Sequence, residues 1–145
     1  MPMTPDQRKA VVAEARSWLG TPYHDHGRVK GAGADCALMP LEVYSRALTL
    51  HMPQVPKYVM QWHLHRSEEL YLEYVRNLGA IEVAIPEPGD FALFRIGRVY
   101  SHGAIVLAWP KILHAVNPRG VILADASIDE RLSRTAISKP LFFTF

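Results

Sequence analysis

The chain has 145 residues, 16 basic and 14 acidic, a length that suits one domain (residues 1–145) with a real core and hardly leaves room for two. Hydrophobic residues make up 49% and charged ones 21%, which excludes wholesale disorder, and one cysteine excludes an intramolecular disulfide or a Cys-rich metal knuckle. A formal charge of +2 with scattered basic residues implies no nucleic acid, and no apolar run approaches the ~20 residues of a membrane span.

Met1 to Gln7 leads into a charged amphipathic helix, unlike the basic-then-apolar start of a secretory signal, so the chain is expected to be made in the cytoplasm without one. Thr4 can cap this helix, Pro5 suits its first position and Gln7 completes a capping-box pattern. Val11, Ala15 and Trp18 then form an apolar stripe at helical spacing, and Gly20 with Thr21-Pro22 stops it. A loop from Tyr23 to Ala34 follows, holding Gly27, Gly31 and Gly33 with His24, His26, Arg28 and Lys30. A second helix begins about Asp35, with Ala37, Leu41, Tyr44 and Leu48 on one face. Pro40 should distort its first turn, because its ring crowds the Cys36 carbonyl and leaves that oxygen without a helical donor.

Residues 49 to 66 read as irregular, with Pro53, Pro56 and an aromatic-histidine cluster of Tyr58, Trp62, His63 and His65. Ser67-Glu68-Glu69 opens a third helix that Gly79 closes. After Pro86-Glu87-Pro88-Gly89-Asp90 the periodicity becomes that of strands, over Phe91–Arg95, Val99–Leu107, Ile112–Val116, Val121–Ala124 and Leu141–Phe145. Ser127 with Glu130 marks a short helix before the last strand, and no internal repeat or low-complexity linker is visible. Helices first and strands afterwards argue α+β with an antiparallel sheet of roughly five strands.

Cys36 stands after a Gly-rich loop at a predicted helix N-terminus, where N–H groups and the dipole stabilise a thiolate. His102 and His114 both fall in the strand region, separated by a turn at Ala108-Trp109-Pro110. A three-residue turn centred on Trp109 sets His114 opposite Ala104, diagonal to His102 on the same face; a two-residue turn puts the rings on opposite faces. Only the first register permits a Cys–His–His relay. On residue types alone the plainer account is that a single cysteine is a small buried hydrophobe and a strand histidine is structural.

Ala15-Arg16-Ser17-Trp18-Leu19-Gly20-Thr21-Pro22-Tyr23 and then Gly33-Ala34-Asp35-Cys36 resemble the opening of the NlpC/P60 family of cysteine peptidases. Glu87-Pro88-Gly89-Asp90-Phe91, Ser101-His102-Gly103-Ala104-Ile105-Val106-Leu107 and Ile112-Leu113-His114-Ala115 resemble its remaining blocks in the same order, so the likeness spans roughly Arg8 to Val116. The chain most resembles the short, stand-alone members of phages, prophages and gene-transfer particles, with Tyr58, Trp62 and His65 to Leu70 adding to that impression. The resemblance implies a papain-like fold, with the nucleophile helix packed on the antiparallel sheet. It implies hydrolysis of bacterial peptidoglycan stem peptides, commonly at the bond from D-glutamate to the diamino acid.

Carried over by position, Cys36 is the nucleophile, His102 the general base and acid, and His114 the residue that orients the imidazole. Tyr23, Asp35 and Ser101 match positions for substrate binding or the oxyanion site, where the Cys36 N–H is a natural donor. The resemblance implies no cofactor and no metal. Its implied partners are the stem peptide and, in a tail-borne protein, other tail-tip proteins; its implied place is a virion tail acting at the cell wall. Where the family commonly continues the cysteine with serine and glycine, this chain has Ala37 and Leu38 and then Pro40, which bears on cleft shape and stem-peptide fit.

Other readings compete. His24-x-His26 and His63-x-His65 would each present two imidazoles on one face of an extended chain, as zinc prefers, but no carboxylate completes a set and loop histidines are the plainer reading. The Gly27 to Gly33 run lacks the Gly-Lys-Ser/Thr of a phosphate loop and instead gives the chain room to turn before Cys36. Arg28 and Lys30 would meet an anionic peptide or simply be solvated. A structural tail-tip component that keeps the fold without cutting is the alternative to a peptidase. Acyl transfer by the same Cys–His pair shares its thioester intermediate.

Overall fold

The Thr4 hydroxyl accepts the Gln7 N–H at 3.2 Å and the Gln7 side chain accepts the Thr4 N–H at 2.8 Å. A complete capping box therefore opens α1 (Pro5–Arg16), as the sequence predicts. A computed structural model describes residues 2–49, 69–133 and 139–145. The predicted irregular stretch, the cluster of Tyr58, Trp62, His63 and His65, the His63-x-His65 pair and the Ser67-Glu68 helix start lie outside the described residues.

Val11, Ala15 and Trp18 are fully buried, so the stripe read from the sequence is the face α1 gives to the core. Arg8 leaves the same helix to reach Asp90 Oδ1 at 2.8 Å, the Pro88 carbonyl at 3.1 Å and the exposed Glu87 carboxylate at 3.2 Å. Asp90 is 1% exposed and also accepts the Glu87 N–H, so the Glu87–Asp90 turn is clamped to α1. The chain then forms a small hairpin, β1 (Arg28–Val29) and β2 (Gly33–Ala34), before α2 (Leu38–Ala47). Following the undescribed stretch, α3 (Leu70–Asn77) ends as predicted at Gly79, whose φ of 86° is the left-handed conformation of a helix stop.

A six-stranded antiparallel sheet carries the rest, formed by β3 (Ile81–Val83), β4 (Phe91–Ile96), β5 (Val99–Ala108), β6 (Lys111–Val116), β7 (Gly120–Asp125) and β8 (Leu141–Thr144). Their spatial order is β3-β8-β4-β5-β6-β7. The five expected strands are all present and the α+β class holds, with β3 as the addition. That strand is short, lies at the sheet edge and keeps Ile81 and Glu82 exposed, so it lacks the alternation that marks a half-buried strand. The short helix α4 (Glu130–Ser133) starts later than the Ser127 pattern implies. Asp129 Oδ1 accepts the Arg131 and Leu132 N–H groups, while Ser127 is held in a turn by Asp125.

The sheet separates two cores. Ile105, Leu107 and Leu113 pack with Val11, Trp18, Met39, Tyr44 and Tyr71 of the helical side. On the other face Ala104, Val106 and Ile112 pack with Phe94 and Leu132 of α4. Among the described residues no helix is long and apolar enough to cross a membrane.

Candidate active site

Asp35 builds the turn that presents the cysteine. Its Oδ1 accepts the N–H groups of Ala37 at 3.0 Å and Leu38 at 2.7 Å, its Oδ2 accepts the His26 N–H at 2.9 Å, and its carbonyl accepts the Met39 N–H at 3.2 Å. The carboxylate thus caps a turn that starts one residue before Cys36 and leads into α2. This agrees with a second helix beginning about Asp35, although regular helix starts only at Leu38. Pro40 is its third residue, early enough to be tolerated, and it denies the Cys36 carbonyl a helical donor as expected. The Tyr71 hydroxyl donates to that carbonyl instead, at 3.1 Å.

The Gly-rich loop serves close packing. A Cβ on Gly27 would lie 2.6 Å from the backbone of Gly33, so the loop can fold against β2 only with glycine there. Arg28 pairs with Glu42 at 2.6 Å, while Lys30 pairs with Glu14 at 2.7 Å and sits over the Trp18 ring; neither lines the cleft that holds Cys36. His24 Nδ1 lies 2.8 Å from the Asp25 carbonyl, and His26 lines the cleft with a left-handed φ of 62°. Among the described residues no three His, Cys, Asp or Glu side chains gather as a metal site would require.

The two strand histidines meet: His102 Nε2 lies 2.8 Å from His114 Nδ1, with the rings edge to face. The hairpin that joins them has a two-residue turn, Trp109-Pro110, since Ala108 pairs with Lys111. That turn alone would have separated the rings. A bulge between Val106 and Ala108 shifts the register by one, giving Ile105 opposite Leu113 and Val106 opposite Ile112. Continued one step further, the register sets His114 opposite Ala104, as a three-residue turn would have done. Bulge and turn together place both histidines on the face of Ala104 and Ile112.

A cleft of about 720 Å³ opens at this end of the sheet, lined by Cys36, His102, Tyr23, Asp35 and Ser101. His114 lies behind His102, 2% exposed, and is not part of the cleft wall. Of the six residues singled out from the sequence, five share the cleft and the sixth supports one of them.

The electrostatics differ from the sequence expectation. Burial, with Asp35 adding to it, pushes the Cys36 thiol up to about 12, against the pull of the Gly103 and Cys36 N–H groups. The thiol donates to the Ser101 carbonyl at 3.8 Å. A depressed thiol, expected from the helix N-terminus, is therefore not what the resting site holds; loss of water outweighs the dipole. Burial likewise holds His102 well below the usual imidazole range and brings His114 down to about 4. The resting site is thus a neutral thiol with two neutral rings. Burial, Cys36 and Asp35 raise the Tyr23 phenol, which remains an un-ionised donor.

Sequence reasoning missed three contributors. Arg98, on the turn between β4 and β5, and Arg131, on α4, both line the cleft, exposed and without an ion pair to any described residue. The third is Tyr71, whose partner lies 35 residues away in the chain. Nothing local to these positions signals the cleft; only the fold brings them there.

Comparison with known proteins places this architecture. The sequence matches no family model and no curated protein. Among solved structures, it superposes on the NlpC/p60 domain of the peptidoglycan hydrolase SagA with a TM-score of 0.61 and 22% identity, covering 95% of this chain and 97% of that one. It superposes equally, at TM-score 0.61 and 20% identity, on a lipoprotein-like member of the NLP/P60 family from Staphylococcus aureus subsp. aureus Mu50. That match covers 92% of this chain and 40% of the longer staphylococcal one. The fold is that of NlpC/P60 domains.

Proposed function

We propose that this protein is a cysteine peptidase that hydrolyses peptide bonds in the stem peptides of bacterial peptidoglycan. The observation that carries the reading is the 2.8 Å contact from His114 Nδ1 to Nε2 of His102, a ring that lines the same cleft as Cys36. The peptidoglycan substrate is supported by the hydrolase named among the structural neighbours and by the sequence blocks around Cys36, His102 and His114.

The geometry supports the following division of roles. With Nε2 of His102 committed to His114, Nδ1 is the nitrogen left to take a proton from the Cys36 thiol. The sulfur attacks the scissile carbonyl, and the Cys36 N–H at the head of the capped turn faces the developing oxyanion. His102 then gives its proton to the departing amine, leaving a thioester. Water enters, yields a proton to the same nitrogen and cleaves the thioester, which restores the thiol. Since the resting thiol is neutral, proton transfer belongs to the attack step and is not complete beforehand. Arg98 and Arg131 supply positive charge at the mouth for the carboxylates of an acidic stem peptide.

The test is digestion of purified muropeptides, read by mass spectrometry, with Cys36→Ala and His102→Ala alongside. Product from the wild type and a loss of at least ~10³-fold in both variants is expected. Equal product from Cys36→Ala would sink the proposal. We also propose that the protein works on a phage or prophage tail, supported by its resemblance to short tail-associated members; immunolabelling of purified particles checks this. A structural tail component is the second reading, favoured by the thiol's burial and its hydrogen bond to the Ser101 carbonyl. It predicts an intact fold, no product and stable association with neighbouring tail proteins.

A further inference from the structure

We infer that Tyr71 is a positioning residue for the nucleophile, holding the Cys36 peptide through the carbonyl that Pro40 leaves without a helical donor. The inference rests on the peptidase reading for its catalytic consequence, and on geometry alone for the contact itself.

Three observations converge. First, the hydrogen bonds on either side of the gap are helical: Met39 N–H to the Asp35 carbonyl at 3.2 Å and Leu41 N–H to the Ala37 carbonyl at 3.5 Å. Between them Pro40 has no N–H, so the Cys36 carbonyl is the one acceptor in this turn that its own helix cannot satisfy. The Tyr71 hydroxyl occupies that position at 3.1 Å, in a buried setting where an unmet carbonyl is costly.

Second, the tip of the phenol presses on the strand that carries the base. A Cβ on Gly103 would collide with the Tyr71 oxygen and with the Phe91 ring, so the residue after His102 has to be glycine for the hydroxyl to reach Cys36. One phenol therefore touches the nucleophile's backbone on one side and His102's neighbour on the other. It sets the distance between the turn that holds the sulfur and the strand that holds the imidazole.

Third, the phenol is fixed. Tyr71 is 5% exposed, its ring packs at 6.0 Å from that of Phe91, and burial keeps its hydroxyl protonated, hence a donor. Tyr71 does not line the cleft, so it acts on the reaction through the backbone it touches at Cys36 and Gly103.

The experiment compares wild type, Tyr71→Phe, Pro40→Ala and the double variant. Pro40→Ala restores an N–H in helical register with the Cys36 carbonyl, and so offers that oxygen a donor independent of Tyr71. Muropeptide kinetics should show kcat falling ~10-fold or more in Tyr71→Phe with KM within about twofold, because a small misplacement of the attacking atom costs rate without costing binding. The double variant should recover to within about threefold of Pro40→Ala, the reference for a Cys36 carbonyl supplied with its own helical donor. Alkylation of Cys36 by iodoacetamide at pH 8 supplies a readout that needs no substrate. The loosened thiol of Tyr71→Phe should react at least ~3-fold faster, and the double variant should revert. Should the wild type cleave no muropeptide, the peptidase reading falls and alkylation alone decides this inference. Unchanged alkylation in folded Tyr71→Phe, or a double variant as far from Pro40→Ala as Tyr71→Phe is from wild type, would overturn it.

Discussion

His114 sits behind His102 with its Nδ1 2.8 Å from the Nε2 of that ring, and its own Nε2 is buried without a hydrogen-bond partner among the described residues. If His102 is to accept the thiol proton at Nδ1, its Nε2 must carry the hydrogen and donate to His114. His114 then carries its proton on the buried Nε2. In that role the contact couples the tautomers of the two rings, which is how a neutral residue with no access to the cleft would govern the proposed base.

Acid should destabilise the fold through these histidines. His114 is held at about 4, below the 6.5 of a free imidazole, so the unfolded chain binds a proton that the folded one refuses. Its contribution is fully present above pH 6.5 and is lost as pH falls from 6.5 to about 4. The loss is on the order of 3 kcal/mol for this ring, and His102 shifts in the same direction. Urea denaturation at pH 7 and pH 4.5 measures it. His114→Asn should lose less stability over that interval than wild type, and equal losses would contradict the assignment.

Asp35 should matter to folding before it matters to substrate. Asp35→Ala orphans the N–H groups of Ala37, Leu38 and His26, and should cost about 1–2 kcal/mol as other lost helix caps do. Asp35→Asn keeps a carbonyl oxygen for Ala37 and Leu38, and should cost less than half as much. Chemical denaturation of the two variants separates capping from charge.

Breaking the Arg8–Asp90 pair should be among the most damaging changes outside the cleft. Arg8→Leu leaves a carboxylate that is 1% exposed without its cation, a loss of about 3–5 kcal/mol in comparable buried pairs. Adding Asp90→Asn removes the stranded charge and should return most of that stability. A double variant as unstable as Arg8→Leu would show that packing, not charge, is at stake.

The cleft arginines should act on binding. Arg131→Gln is expected to raise KM for an acidic stem peptide about threefold with kcat little changed, since an exposed pair contributes less than ~1 kcal/mol. The difference should shrink in 0.5 M salt, where screening is nearly complete at contact range. A salt-independent effect would point to shape instead.

The sequence by itself determined what depends on neighbours a few residues apart. The capping box of Thr4 and Gln7, the stripe of Val11, Ala15 and Trp18, the five main strands and the orphaned Cys36 carbonyl beneath Pro40 all follow from spacing and backbone chemistry. The order of the residue blocks also pointed to the fold. Tertiary structure decided the rest. The register that joins His102 to His114 depends on a bulge between Val106 and Ala108, where one extra residue shifts the pairing and leaves no mark in the alternation. The filling of the Cys36 carbonyl by Tyr71, the pairing of Arg28 with Glu42 and the arrival of Arg131 at the cleft each join elements that only folding brings together. The state of the thiol belongs with these: a helix N-terminus is legible in sequence, whereas the loss of water that outweighs it is a property of the closed core.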